Sequence, residues 1–297
     1  SNKIMANTRE LRRRIKSIKN TAQITKAMQM VSATKMRRAQ TQALNGRPYS
    51  LNLSFALEKL LPLINTGSHP LLVGNDSKIT GVALLSTNKS MCGALNTNLF
   101  RLLAASNMLS SETSFYTVGM KGRNFVARTG KNLSADFENS DTVTFRQASQ
   151  LAKLIIDSFM EGEIGQVYIV YPHFISTLRQ EATKVKLLPI DYSELESLLA
   201  GEVQSKPSGN GSDEFLFEPD PKELLDFILN HYVQIKIYQS LLETKASEHS
   251  SRMIAMQNAT DNALDLVTDL NLTYNQTRQD SITKELLEIT TAALAME

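Results

Sequence analysis

Cysteine occurs once in this chain, at Cys92. No disulfide can form within it, which fits a reducing compartment. No apolar run reaches the roughly 18 residues needed to span a membrane. No secretory signal is visible. Met5 is a candidate start, and the sequence leaves open whether residues 1–4 are native or an extension. Phosphate-binding patterns are missing too, with no G-x-x-x-x-G-K-[ST] and no G-x-G-x-x-G. Gly93 follows a strand-like run and precedes a helical one, so a phosphate turn has to be weighed there; standing alone, it reads as a tight turn. His69, His173, His231 and His249 show no metal-ligand spacing. No nucleophile elbow appears. A net charge of only +2 over 297 residues does not suggest a nucleic-acid binder.

Glycine and proline are absent from residues 1–45 and again from residues 222–297. Both stretches are therefore read as helices. Pro219 and Pro221 stand just ahead of the second, where proline suits a helix start. Met253, Met256, Thr260, Ala263, Val267, Leu270 and Tyr274 recur in steps of three and four. The stripe then moves by one place and continues as Ile282, Leu286, Ile289 and Ala293. This is a heptad-like seam. A helix over the whole stretch is about 110 Å long. It is too long for one small domain and needs a partner helix.

The first helix has its own stripe of Leu11, Ile15, Ile18 and Ala22. Ile24, Met28 and Val31 continue it on a shifted face. Its polar side is basic: Arg9, Arg12, Arg13, Arg14, Lys16, Lys19, Lys26, Lys35, Arg37 and Arg38 stand against one acid, Glu10. Such self-repulsion calls for an acidic partner. Nucleic acid is one candidate, but there is no aromatic interleaving and no reading motif. An acidic protein surface is the other. Gly46 and Pro48 are expected to weaken or kink this helix, with helical periodicity resuming at residues 54–64.

Between the helices the pattern changes. Residues 79–86 and 166–171 are β-rich, 114–118 is a shorter strand candidate, and 183–189 looks like one more. Helical runs lie at 97–109, 121–127 and 145–161. Strand alternating with helix predicts a small parallel α/β domain. Residues 201–213, with Pro207, Gly209 and Gly211, read as a linker. Two terminal helices around an inserted domain can pair only if the second runs back along the first. If Leu60 lies near Leu224, paired positions sum to about 284. Met28 then faces Met256, and Thr8 faces Gln276. The last twenty or so residues project as a lone helix of roughly 30 Å. A lone helix is marginal in water, so something outside the chain should surround it.

The motifs resemble the gamma subunit of F-type ATP synthases along nearly the whole chain. Ile15-Lys16-Ser17-Ile18-Lys19-Asn20-Thr21 and Ile24-Thr25-Lys26-Ala27-Met28 look like that family's first helix. Ala246-Ser247-Glu248, Arg252-Met253, Met256 and Ala259-Thr260-Asp261-Asn262 resemble its last helix. Tyr274-Asn275, Arg278-Gln279, Ile282-Thr283, Glu285-Leu286 and Glu288 resemble its closing motif. Cys92-Gly93, Leu95-Asn96, Phe174-Ile175-Ser176-Thr177, Leu187-Leu188-Pro189 and Glu218-Pro219-Asp220-Pro221 also match. The chain departs from the pattern at Asn88-Lys89-Ser90, where Asp-Arg-Gly is usual. It departs again at Pro172-His173, for Asn-Lys, and at Ala292, for glycine. Chloroplast members carry a regulatory cysteine pair, which a single cysteine excludes.

The resemblance implies an antiparallel coiled coil of terminal helices with an inserted Rossmann-like parallel α/β domain. The implied division is 1–66, 67–200, a linker at 201–221, and 222–297. It implies a non-catalytic rotor shaft that couples ion flow to ATP synthesis, with no cofactor and no metal. Implied partners are the alpha and beta subunits of the catalytic head, the epsilon subunit and the membrane c ring. Membrane association is then through the complex, at the cytoplasmic face of a bacterial membrane. Arg9, Met28, Arg252, Arg278, Gln279, Ile282, Glu285 and Leu286 match positions that meet the head. Phe215, Phe217 and Glu218 match the foot, where the family meets epsilon and the c ring. A purely structural reading makes Met28 seam packing and the charged residues solvated pairs, such as Glu248 with Arg252. Other readings of the whole chain are a nucleotide enzyme built on the α/β domain and a coiled-coil adaptor that binds nucleic acid or acidic protein through its basic helix.

Overall fold

A computed structural model describes residues 2–60, 69–190 and 221–294. The elements run α1 (Asn2–Leu60), α2 (Pro70–Val73), β1 (Thr80–Leu85), α3 (Leu95–Ala105), β2 (Thr113–Val118), α4 (Met120–Arg128) and β3 (Asn132–Phe137). They continue with α5 (Phe145–Met160), β4 (Gln166–Phe174), β5 (Gln180–Leu188) and α6 (Pro221–Leu294). Pro221 is the first residue of α6, where its missing N–H costs no helical bond. The chain divides into two compact units, Ser1–Ala33 with Arg252–Glu297, and Thr34–Ser251.

The first unit pairs the start of α1 with the second half of α6. Leu11, Ile15, Ala22, Thr25 and Ser32 are buried on α1, and Met256, Thr260, Ala263 and Val267 on α6. The Thr25 and Thr260 hydroxyls lie 2.7 Å apart. Each hydroxyl also reaches a carbonyl of its own helix, Thr260 that of Met256 at 2.8 Å and Thr25 that of Ala22 at 3.1 Å, so either can donate across the seam while the other donates along its helix. Numbers 25 and 260 sum to 285, beside the 284 expected from helix geometry alone. The seam does not follow the shifted stripe of Ile24 and Val31. Those residues are 60% and 56% exposed, while their neighbours Thr25 and Ser32 are buried. Small hydroxyl side chains fit between closely spaced helices, and Thr25 reaches the Ala22 carbonyl, so geometry overrides hydrophobicity at these two positions.

The second unit is the α/β domain with the parts of α1 and α6 that pack on it. Its sheet has the order β3-β2-β1-β4-β5. Strands β1 to β4 are parallel, and β5 pairs antiparallel with β4. The turn at residues 175–179 is too short for a parallel crossover, so the fifth strand must fold back as a hairpin. Alternation along β1 sends Val82 and Leu84 to one face and Ala83 and Leu85 to the other. The first face packs on Leu99 and Leu103 of α3 and Val126 of α4. The second packs on Leu151, Ile155 and Phe159 of α5 and on Leu229, Val233 and Ile237 of α6. Strand β3 is absent from the sequence reading because Asn132, Ser134 and Asp136 are poor strand formers. It is an edge strand whose exposure alternates residue by residue.

Gly46 and Pro48 do not end α1, which runs on to Leu60 with Pro48 inside it. A Cβ on Gly46 would lie 3.1 Å from Gln239 Oε1, so the missing side chain lets α6 come close. Gln239 Nε2 donates to the Ala43 carbonyl at 3.4 Å. Pro48 is exposed, so the carbonyl it leaves without a helical donor faces water. Packing therefore holds a helix that local propensity would interrupt.

The threonine contact fixes the register of the first unit and is open to test. In a Cys92→Ser background, Thr25→Cys with Thr260→Cys should oxidise readily to an intrachain disulfide, since side-chain oxygens 2.7 Å apart imply Cα atoms near the roughly 4.4–6.8 Å that such a bond spans. Thr25→Cys with Val267→Cys, two turns away, should not. Non-reducing mass spectrometry separates the outcomes.

Candidate functional site

On α6 the expected head-contact residues from 278 to 286 form one surface. Arg278, Gln279, Ile282 and Leu286 are exposed, Glu285 is half-buried, and Ile289 continues the row. Positions 278, 282, 285, 286 and 289 recur at helical spacing, so they share one face over about 16 Å. Ile282, Leu286, Leu287 and Ile289 are 45%, 58%, 60% and 65% exposed. Apolar side chains in contiguous rows on water mark contact surfaces. No described side chain from residue 278 to 292 is fully buried.

On α1, Arg9 is exposed and Met28 is half-buried. Met28 lies between Ile24 and Val31, which point out of the seam. These three form a second apolar row at i, i+4 and i+7; the exposed Lys16 lies to one side of it, whereas Lys19 and Lys26 leave the helix from nearly the opposite side. Placing Ile24 and Val31 in the seam hid this row from the sequence reading. Their value as a signal was present, because Thr25 and Ser32 sit at the heptad positions that Ala22 predicts. Leu264, Leu266 and Leu272 of α6 are also about half exposed and were not singled out. Arg252 is buried, as is Glu248, so neither belongs to a solvated pair. Phe215, Phe217 and Glu218, the expected foot contacts, lie outside the described residues, as do the linker at 201–213 and residues 61–68.

The α/β domain shows polar side chains gathered where the strands end, but each has a structural partner. Ser86 Oγ donates to the Val118 and Gly119 carbonyls at 3.1 Å and accepts from the Gly122 N–H at 2.8 Å. Gly93 has φ +56°, a left-handed turn that glycine adopts freely. The space beside it holds Ser251, whose Oγ donates to the Cys92 carbonyl at 2.7 Å. His173 Nδ1 lies 2.6 Å from Glu243 Oε2. His231 Nε2 lies 2.7 Å from the Tyr49 hydroxyl. His69 Nδ1 accepts from the Leu71 N–H, so its Nε2 carries the proton and donates to Asp226. The histidines are thus spread over separate contacts. Among the described residues no three His, Cys, Asp or Glu side chains are grouped to hold a metal ion. No helix among them is long and apolar enough to cross a membrane.

Two cations of this unit differ in environment. Lys35 of α1 pairs with Asp141 at 2.7 Å on the surface. This hydrogen bond holds the Asp141 carboxyl below its usual range. Lys245 of α6 is 4% exposed; its Nζ lies 3.4 Å from Glu248 Oε2 and 3.3 Å from the Asn139 carbonyl it donates to. Burial raises the Tyr171 hydroxyl pKa, and the nearby Glu243 carboxylate adds to the effect.

A family model described as ATP synthase matches residues 7–296. The chain is 44% identical over 297 residues to the ATP synthase gamma chain of Methylacidiphilum infernorum, covering 98% of this chain and 100% of that one. It is 41% identical over 294 residues to the ATP synthase gamma chain of Opitutus terrae, covering 98% and 99%. Among solved structures it is similar to a chain of the Euglena gracilis mitochondrial ATP synthase, with TM-score 0.67, 20% identity, and 98% and 95% of the two chains covered. It is also similar to a chain from the central stalk and c-ring of the Tetrahymena thermophila mitochondrial ATP synthase. There the TM-score is 0.60 at 24% identity, with 80% and 99% covered.

The two lysines separate surface from buried electrostatics. Lys35→Met should raise the Asp141 pKa, seen by NMR titration, and change stability by less than about 1 kcal/mol. The sign follows from the lowered pKa: the pair contributes above the usual carboxylate range, and its contribution is lost as pH falls through the folded value. Lys245→Met removes a partner of a buried carboxylate and should destabilise by about 3 kcal/mol. Chemical denaturation of both variants at neutral pH checks the order.

Proposed function

Since the chain belongs to the ATP synthase gamma-chain family, we propose that it is the central shaft of a rotary ATP synthase and that the chemistry resides in its partners. The observation that carries this reading is the apolar row Ile282, Leu286 and Ile289, left on water near the end of a 74-residue helix. Such a row is stable in water only when something apolar encloses it.

On this reading the head of alpha and beta subunits encloses the end of α6. Arg278, Gln279, Ile282, Glu285 and Leu286 meet it, with Arg9 and Met28 on α1. The row of Ile24, Met28 and Val31 joins that contact, and the basic side chains of α1 face acidic loops of the head. Arg252, being buried, acts by holding α6 in place. Phe215, Phe217 and Glu218 meet the epsilon subunit and the c ring at the foot. The chain divides as 1–66, 67–200, 201–221 and 222–297. It reaches the membrane only through the complex, at the cytoplasmic face, and binds neither nucleic acid nor a cofactor.

The mechanism follows from asymmetry and stiffness. Two helices zipped by Thr25 and Thr260 present different faces to three otherwise equal catalytic sites. Each orientation of the shaft stabilises a different state at each site. Turning it exchanges those states, and by linkage a change of state at the sites turns it back.

Ile282→Asp with Leu286→Asp should weaken association with the alpha–beta head at least about tenfold, as loss of central apolar anchors does. It should shift the melting of the isolated chain little, because both residues are exposed. The isolated chain should hydrolyse no ATP. Unchanged association, or steady hydrolysis by the purified chain alone, contradicts the proposal.

A further inference from the structure

The α/β domain uses its ligand position for its own chain. The chain runs outward from β1 to β2 to β3, then returns to the other side of β1 as β4. In open sheets of this kind ligands bind beyond the carboxyl ends of the strands, where the order reverses. That place lies between β1 and β4. Here α6 occupies it and is hydrogen-bonded to both walls. Ser251 Oγ donates to the Cys92 carbonyl, in the loop after β1, at 2.7 Å. Ser247 Oγ donates to the Pro172 carbonyl of β4 at 2.8 Å. Ser250 Oγ donates to the Thr177 carbonyl, in the β4–β5 turn, at 2.6 Å. Lys245 Nζ donates to the Asn139 carbonyl, in the loop after β3. A Cβ on Gly93 would lie 3.5 Å from Ser251 Oγ, so the turn after β1 presses against the helix.

We propose that this crevice is the joint that passes twist between the α/β domain and α6, with Lys245, Ser247 and Ser251 fixing the angle of the helix within it. The proposal rests on the shaft reading above and adds where load crosses from the domain to the helix. Apolar packing is non-directional, so a helix in an apolar socket can turn about its axis by exchanging one set of contacts for a similar one. Hydrogen bonds are directional and do not tolerate that exchange. At about 100° per residue, Glu243, Ser247, Ser250 and Ser251 fall on one side of α6, and Lys245 leaves from nearly the opposite side. The domain therefore holds the helix from two directions. Residues 241–250 are buried without interruption, so rotation would drag their charged groups past unsuitable partners.

The test uses the complete enzyme in lipid vesicles, reading ATP hydrolysis and ions moved per ATP. Ser247→Ala with Ser251→Ala should leave hydrolysis within about twofold while ions moved per ATP fall about twofold or more, because the weakened joint slips under load. A second enzyme carries Gly93→Cys and Ser251→Cys in a Cys92→Ser background. Oxidised, it should keep both hydrolysis and transport, since the joint does not turn in the working enzyme. An assembled alanine variant with an unchanged ratio overturns the proposal. So does a disulfide that stops turnover until it is reduced, and this second enzyme decides the matter if the alanine variant does not assemble. If the unaltered enzyme moves no ions with ATP, the shaft reading itself falls, and the joint with it.

Discussion

Ten consecutive residues of α6, 241–250, are buried on every side, and most of them are polar. The rest of the larger unit is arranged to make that possible. A charge taken out of water costs several kcal/mol unless it finds a partner of good geometry. Glu243 has His173 of β4 and Gln239 one turn earlier. Lys245 has Glu248 and the Asn139 carbonyl. The serines have carbonyls at the ends of β1, β4 and the hairpin turn. Buried polar contacts of this kind add little net stability but exclude other arrangements. One angle and one height of the helix satisfy all of them at once. An ordinary apolar face, as at Leu229, Val233 and Ile237, supplies the attraction that keeps the helix on the sheet. The polar stretch says where it must stop.

The smaller unit solves a related problem with smaller groups. Its seam carries Ala22, Thr25, Ser32, Thr260 and Ala263 among the larger side chains. Alanine, serine and threonine allow close approach, and the threonine pair fixes the register. Other large apolar residues point outward, Ile24 and Val31 on α1 and Ile282, Leu286 and Ile289 on α6. A pair of helices that turns its bulk outward is built to be enclosed by something else. On the shaft reading proposed above, the head is that enclosure.

Much of this was legible in the residues. Missing glycine and proline marked both long helices, and the β-rich runs marked strands β1, β2 and β4 to within a few residues. The pairing sum needed only the rise of a helix and the inserted domain. Four features were hidden, each for a physical reason. Strand β3 lacks strand-forming residues because an edge strand is shaped by its neighbour β2. Helix α1 passes Gly46 and Pro48 because α6 needs the space that Gly46 leaves, a tertiary demand that no local signal carries. Ile24 and Val31 were assigned to the seam because hydrophobicity was weighted above heptad position. The exposed row on α6 was visible in its spacing, whereas the polar joint was not. Nothing in the sequence around Lys245, Ser247 and Ser251 names the carbonyls that hold them, because those come from distant parts of the chain.

The central claim is that this chain turns as a unit inside a fixed head. It is tested most directly by watching it turn. A bead is attached to the α/β domain through a cysteine placed at the exposed Arg128, in a Cys92→Ser background, with the alpha–beta head fixed to a surface. With ATP the bead should rotate stepwise in one direction, at a rate that follows hydrolysis and stops when ATP is removed. Sustained ATP hydrolysis by the bead-bearing complexes with the bead stationary, or turning in both directions without preference, would contradict the claim.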